Sequence, residues 1–506
     1  MTRKEFLASA AGGLVAGAMG GAAPATELRV GIMSDTHVTG LGNAQWFEKG
    51  LRMFDAEKVD AVLISGDMFT LGSVKELEDI ASVWYKVFPN DRRADGGKVE
   101  RLFVTGNHDE VDWDCKRFGT PEGVKAKAFR FNREATWKRL WGEDYEKIRI
   151  KTVKGYKFVL RHWLCRSARI FDEVVPAEAD PLPDFMKAHA DELRSCGRPF
   201  FYVQHEPIAD TVNAAWLFGG IEWDNGHTKR GEKRIFDQFP NAVVLTGHSH
   251  DTLTDEQSIW QGAFTAVNCS CARGYVFTKP GRENGFTCED FARTPPLEMA
   301  MFDHSEPRQA LVMDVCAGEI RFKRLDVTYG EVLDADWVVP LFPGGATVPP
   351  TGTPKYDFKA RAAASKPPVF AKDAKVTVTY VKDGHSRAPG PRCILEDGAP
   401  HPQVRVSFPP ITRAHSPSRG FDFTVRCEAN TGDLFYTVRE KRVFSPKFCL
   451  AEKRDTETCT CDFRMSDIPA NFHGRVRFVV IPHDVWGNPG APICSAWINP
   501  DALAKQ

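Results

Sequence analysis

Five short blocks of oxygen and nitrogen donors punctuate the first half of the chain, and each follows a run that reads as a β-strand. The blocks are Asp35-Thr36-His37, Gly66-Asp67, Gly106-Asn107-His108, His205 and Gly247-His248-Ser249-His250. The runs before them are apolar: residues 28–33, 61–64, 102–104, 200–204 and 242–246. Helical patterns separate the first three, one through Trp46, Leu51, Met53 and Phe54, the other over residues 73–88. Strand–helix–strand–helix–strand order predicts parallel neighbours. Loops of such a sheet converge beyond the carboxyl ends of its strands, so donors far apart in sequence are gathered at one edge.

Asp35, His37, Asp67, Asn107, His205, His248 and His250 form a seven-donor set, with His108 left over. Hard oxygen plus imidazole, without thiolate, suits two divalent cations such as Mn, Fe, Zn or Co and does not choose among them. Two cations about 3.5–4 Å apart need a bridging carboxylate, for which Asp67 is the candidate, and form the usual site for in-line displacement at phosphorus. Singly, each block is weak. Asp-x-His is often a turn, Gly-Asp is commonplace, and Asn-His after Gly suits a helix cap. The order of five blocks at five strand ends carries the signal.

Together the blocks resemble the calcineurin-like metallophosphoesterase family, whose pattern is D-x-H, G-D, G-N-H-D, an isolated His and G-H-x-H. The resemblance covers about residues 27–327. It implies a four-layer αββα sandwich in the α/β class. Asp35, His37, Asp67 and His250 would hold one metal; Asp67, Asn107, His205 and His248 would hold the other. It implies hydrolysis of a phosphodiester or phosphomonoester by a metal-bridging hydroxide, with His108 as general acid. Asp109 either orients His108 or begins a helix. Thr70 stands where purple acid phosphatases place a tyrosine. Gly66-Asp67-Met68-Phe69-Thr70-Leu71-Gly72 lacks the Asp-Arg pair of the protein Ser/Thr phosphatases. Ser34-Asp35-Thr36-His37 with Gly106-Asn107-His108-Asp109 is most similar to the bacterial phosphodiesterase branch. A pyrophosphatase-type hydrolase of nucleotide- or lipid-linked substrates, and a non-catalytic surface binding protein, remain the alternatives.

At 506 residues the chain exceeds one ordinary domain. Residues 1–25 read as an export signal: a cationic start at Arg3 and Lys4, a Gly/Ala-rich stretch, then Ala23-Pro24-Ala25. This resembles a twin-arginine signal with Lys4 in place of the second Arg, a general secretory signal being the alternative, and predicts a periplasmic or cell-surface protein. The metallophosphoesterase domain is expected over 26–330 and a Pro/Gly-rich linker over 331–373. From 374 to 506, short alternating runs such as Val376, Val378 and Tyr380 predict an all-β sandwich of immunoglobulin/fibronectin type. Six cysteines there, Cys393, Cys427, Cys449, Cys459, Cys461 and Cys494, would be free to pair in an exported chain.

Lys plus Arg, at 66, balances Asp plus Glu, at 67, so no basic face for nucleic acid is implied. No apolar run of spanning length follows residue 25. The substrate class is a small-molecule or lipid- or glycan-linked phosphoester, with glycan or protein as candidate contacts of the C-terminal domain. Trp113, Trp137, Trp141 and Trp163 are cleft or core candidates. Arg161, Arg166, Arg169 and Arg230 are phosphate-gripping candidates, and residues 217–227 a candidate lid.

Overall fold

The computed structural model describes residues 25–500, apart from 41–43, 111–118, 166–167, 171–172, 214, 216–229, 275–298, 301–305, 386, 390–394 and 469–473. The export-signal expectation therefore lies outside the described residues, as does the candidate lid.

Strands β1 (Thr26–Met33), β2 (Ala61–Ser65) and β3 (Glu100–Val104) run parallel, with helices α1 (Gln45–Ala56) and α2 (Val74–Val87) as crossovers. Both faces of these strands are covered, which is why they are continuous apolar runs. Val30, Ile32, Leu63, Leu102 and Val104 point into a central cluster. Met33, Val62, Ile64 and Phe103 point the other way, against Phe47, Leu51, Phe54, Leu77 and Trp84 of the two helices. The close approach of α1 to β1 depends on Gly31, where a Cβ would overlap the Phe54 ring. α2 begins with a capping box in which Ser73 and Glu76 each accept the other's backbone N–H.

The second sheet contains β4 (Ile148–Val153), β5 (Tyr156–Arg161), β6 (Phe200–Val203), β7 (Ala242–Thr246), β8 (Ile259–Gln261) and β9 (Thr265–Asn268), in the order β8-β9-β7-β6-β5-β4. Three antiparallel strands, β10 (Gln309–Cys316), β11 (Glu319–Asp326) and β12 (Glu331–Pro340), complete the first as β12-β11-β10-β1-β2-β3. Phe158, Leu160, Phe201, Val203, Val243 and Leu245 join the central cluster between the sheets. Phe200, Tyr202 and Val244 alternate outward against Leu182, Met186, Leu193 and Phe236 of a second helical layer. The result is the expected α/β sandwich, helix–sheet–sheet–helix.

A β-rich region follows. Thr377–Gly384, His401–Phe408 and Cys459–Arg464 form a three-stranded sheet. Phe435–Phe444, Asp422–Asn430, Arg475–His483 and Ile493–Cys494 form a five-stranded one, with Met299–Ala300 as its other edge. Val404, Val406 and Phe463 of the first share a cluster with Phe423, Val425 and Phe478 of the second. No disulfide joins two described cysteines; Cys427, Cys449 and Cys459 are buried thiols and Cys494 an exposed one. Cys393 lies outside the described residues. Among the described residues, this apolar cluster joins the two sheets.

The stretch 331–373, read as a Pro/Gly-rich linker, contains regular elements. It opens with β12, and Phe358–Ala364 is helical. Thr347 and Tyr356 are buried: Gln261 donates to the Thr347 carbonyl at 2.6 Å and accepts from the Tyr356 N–H at 3.0 Å. Glu256 fixes this strap, pairing with Arg324 at 2.8 Å and with Arg361. Burial pushes the Glu256 carboxyl up, but Arg324 and Arg361 outweigh it and hold it at about 2, against 4.5 ordinarily. A depressed carboxylate stabilises the fold above its unfolded value and loses that contribution as pH falls. We expect Glu256→Gln to cost at most about 3 kcal/mol at neutral pH, less whatever its part exposure screens away. Thermal melts should show the gap to wild type closing between pH 4.5 and 2. A gap independent of pH would contradict this.

Candidate metal centre

Each donor block sits where its strand ends, and the strand order brings the ends together. The Asp35 N–H donates to the Gly66 carbonyl at 3.0 Å, the His37 N–H to the Asp67 carbonyl at 3.0 Å, and the Gly247 N–H to the His205 carbonyl at 2.8 Å. Side chains then meet across the loops. His250 Nε2 lies 2.9 Å from Asp35 Oδ1. His205 Nε2 lies 3.2 Å from Asp67 Oδ2, 3.1 Å from Asn107 Oδ1 and 3.1 Å from His248 Nδ1. All eight sequence-predicted residues are gathered in one place.

Three groups of donor atoms have all members within 4.8 Å of one another: Asp35/His37/His250, His37/Asp67/His108 and Asp67/His205/His248. They overlap through His37 and Asp67, as a paired-cation centre requires. Asn107 adds its amide oxygen through the contact with His205.

The backbone is bent to achieve this. Asp35, His37, Asp67, His248 and His250 all have φ between 44° and 65°. Asp and His tolerate this left-handed region better than most residues, yet such positions cost of order 1–3 kcal/mol each and cluster at functional sites. Three glycines keep the loops close. A Cβ on Gly66 would overlap the His205 ring, one on Gly106 the Asp67 carboxylate, and one on Gly247 Ser34 and Asp35. The glycine that opens three of the blocks is a steric requirement of the donor beside it.

Asp35 and Asp67 are 0% and 1% exposed, so their charge needs compensation. Burial pushes Asp35 up, and His250 and His205 outweigh it, holding it at about 2. His205 and His37 hold Asp67 below the usual carboxylate range. Against burial, Asp67 and Asp35 push His205 up to about 9. His250, beside Cys271 and Asp35, is also raised. Burial and the neighbouring His205 drive His248 down to about 3, and burial drives His37 down as well. The buried anions thus favour positive charge around them, which divalent cations would supply.

His37 tests whether the donors fit metals. Both of its ring nitrogens are buried without a hydrogen-bond partner, and Nε2 stands 3.6 Å from Asp67 Oδ2 and 3.8 Å from Asp35 Oδ1. An unsatisfied buried imidazole is costly. A cation among these oxygens would take up the nitrogen, so the residues fit the group.

The surrounding contacts were not evident from sequence. Ser34 Oγ donates to Asp35 Oδ2 at 2.5 Å. His205 Nδ1 donates to the Ser65 carbonyl at 2.8 Å, which turns Nε2 toward the other donors. His108 Nδ1 faces the Thr70 carbonyl at 2.9 Å, while its backbone N–H donates to Asp67 Oδ1 at 2.8 Å. Asp109 lies in the short helix Asn107–Glu110, and its carboxylate accepts from the N–H groups of Gly106, Met68 and Phe69 at 2.8, 3.2 and 3.0 Å. It clamps two donor loops together; those contacts, not the His108 ring, define its place.

Other candidates resolve differently. Trp137 and Trp141 are core, 1% and 3% exposed. Arg161 is committed to Asp180 at 2.9 Å and Glu232 at 2.7 Å, so it is not a free phosphate grip. Trp113 and Arg166 lie outside the described residues, as do the side chains of Arg169 and Arg230.

Residues 28–252 match the family described as Calcineurin-like phosphoesterase. No curated protein matches the sequence. Among solved structures, a dimetal phosphatase from Danio rerio is 10% identical, with a TM-score of 0.37, over 62% of this chain and 99% of its own. GAP50, the anchor in the inner membrane complex of Plasmodium, is 10% identical, with a TM-score of 0.33, over 66% of this chain and 92% of its own. Vacuolar protein sorting 29 from Cryptosporidium parvum is 12% identical, with a TM-score of 0.27, over 62% and 98%. All five donor blocks fall inside the matched segment and form a site for a dinuclear metal centre suited to hydrolysing phosphoesters, and residues 28–252 are thereby placed in the calcineurin-like metallophosphoesterase superfamily.

Proposed function

We propose that this protein is a dinuclear metal-dependent phosphodiesterase acting on a small-molecule or lipid- or glycan-linked phosphoester. Asp35, His37, Asp67 and His250 would hold one divalent cation; Asp67, Asn107, His205 and His248 would hold the other. The observation that carries this is the overlap of three donor groups through His37 and Asp67. Divalent cations at such a site acidify water and offset phosphate charge.

The chain's own residues supply the rest. Contact with the Thr70 carbonyl places the His108 proton on Nδ1 and makes Nε2 the nitrogen that exchanges protons. His108 is thus the residue to protonate the leaving oxygen. Its ring lies 4.7 Å from that of His37, within reach of the Asp67 group. Thr70 also anchors the neighbouring loop, its hydroxyl donating to the His37 carbonyl at 3.0 Å. The Ser34–His37 and Gly106–Asp109 patterns support the diester branch. The complete donor set weighs against a purely binding role. Export through the N-terminal signal, and an immunoglobulin-like character for the β-rich region, belong to the same proposal.

Substrate tests separate the possibilities. The metal-loaded protein is expected to cleave bis(p-nitrophenyl) phosphate faster than the monoester or a nucleoside diphosphate sugar, and to stop with chelator. Faster cleavage of the diphosphate would favour a pyrophosphatase. Asp67→Asn should lose bound metal, by elemental analysis, together with activity. His108→Ala should keep its metal while turnover of an ester with a poor leaving group falls roughly 10²–10⁴-fold. Unchanged turnover in His108→Ala would remove that residue from the role.

A further inference from the structure

We infer that Gln309 is a positioning residue of the metal centre, and that through it the C-terminal β-rich region holds the loop bearing His248 and His250. This rests on the metal-centre reading above and extends it to the second half of the chain.

Gln309 opens β10 and is fully buried. Its Oε1 accepts from the Leu253 N–H at 2.7 Å and from Ser270 Oγ at 2.9 Å. Its Nε2 donates to Thr252 Oγ1 at 2.9 Å and to the Cys449 carbonyl at 2.7 Å. Three segments therefore meet on one amide. Thr252 and Leu253 continue the loop that carries His250. Ser270 belongs to the loop that supports Asp35: Cys271 Sγ donates to the Asp35 carbonyl at 3.3 Å, and the Ala272 N–H donates to the Ser34 carbonyl at 2.9 Å. Cys449 belongs to the β-rich region.

The amide suits this junction because it is neutral, accepts twice and donates twice in one plane. Replacing it with an apolar side chain would strand a backbone N–H on the ligand loop and a carbonyl on the far side. The loop has reason to need the tie. His248 and His250 sit at φ 65° and 53°, and strained backbone persists only where its surroundings fix it. Beside the amide, Cys271 packs among Phe421, Phe444, Phe448 and Cys449. A second tie runs parallel, Gln257 Nε2 donating to the Val485 carbonyl at 2.7 Å. The β-rich region is thereby a buttress of the donor loops.

The test uses the full chain, stripped of metal and titrated with Mn²⁺ by calorimetry at a temperature where circular dichroism shows each variant folded. Gln309→Leu is expected to weaken Mn²⁺ binding by about tenfold, the effect of one or two buried polar groups left unpaired. Excess Mn²⁺ should restore its turnover. Phe448→Leu, which replaces no proposed metal ligand, should weaken binding by a smaller factor in the same direction. Lower melting temperatures with Mn²⁺ affinity unchanged in both variants would overturn the inference and leave the metal centre standing. If Gln309→Leu does not fold, Phe448→Leu decides alone. Wild-type protein that takes up no Mn²⁺ would instead remove the metal-centre reading, and this inference with it.

Discussion

Two carboxylates, Asp35 and Asp67, are buried side by side at the ends of adjacent parallel strands, and much of the structure answers to that fact. Uncompensated, such charges are among the costliest groups a protein can bury. Here imidazoles surround them, and the Asp35 carboxylate also accepts from Ser34 and from the His248 N–H. His37 stands between the two with both nitrogens unsatisfied. An arrangement so costly as a structural device is economical as a receptor for divalent cations, whose charge and open coordination answer both needs.

The sandwich makes the arrangement possible because its energy comes from elsewhere. Fully covered strands bury continuous apolar runs on two faces, and the central cluster draws side chains from both sheets. That stability, of order 25 cal/mol per Å² of apolar surface buried, is far from the loops and insensitive to their detail. The loops are then free to hold five donors in left-handed backbone and to approach so closely that only glycine fits between them. The β-rich region adds to the same support, packing its Phe421 and Phe448 against Cys271. The strain of these donor loops is carried by apolar burial elsewhere.

How far the sequence reveals this depends on the kind of interaction. The donor blocks are legible because metal ligation requires particular side chains and parallel strands require them at strand ends. The inward and outward alternation of Leu102, Phe103 and Val104 is legible for the same reason: side chains encode it. Residues that act on the backbone are not. Asp109 as a clamp on three N–H groups, the Thr70 carbonyl fixing His108, and Gln309 at a three-way joint depend on main-chain atoms that every residue possesses, so no residue pattern announces them. The buried contacts of 331–373 are hidden for a related reason. Proline argues against regular structure, and it says nothing of burial, as Tyr356 shows. The cysteines after residue 390 show the limit of counting, since the described ones are set by packing and not by pairing.

The most direct test of the central claim is anomalous diffraction from crystals of the full chain grown with Mn²⁺. The account predicts two strong peaks flanking Asp67, one beside Asp35, His37 and His250, the other beside Asn107, His205 and His248. A single peak on the protein surface, or none near Asp67, would contradict it.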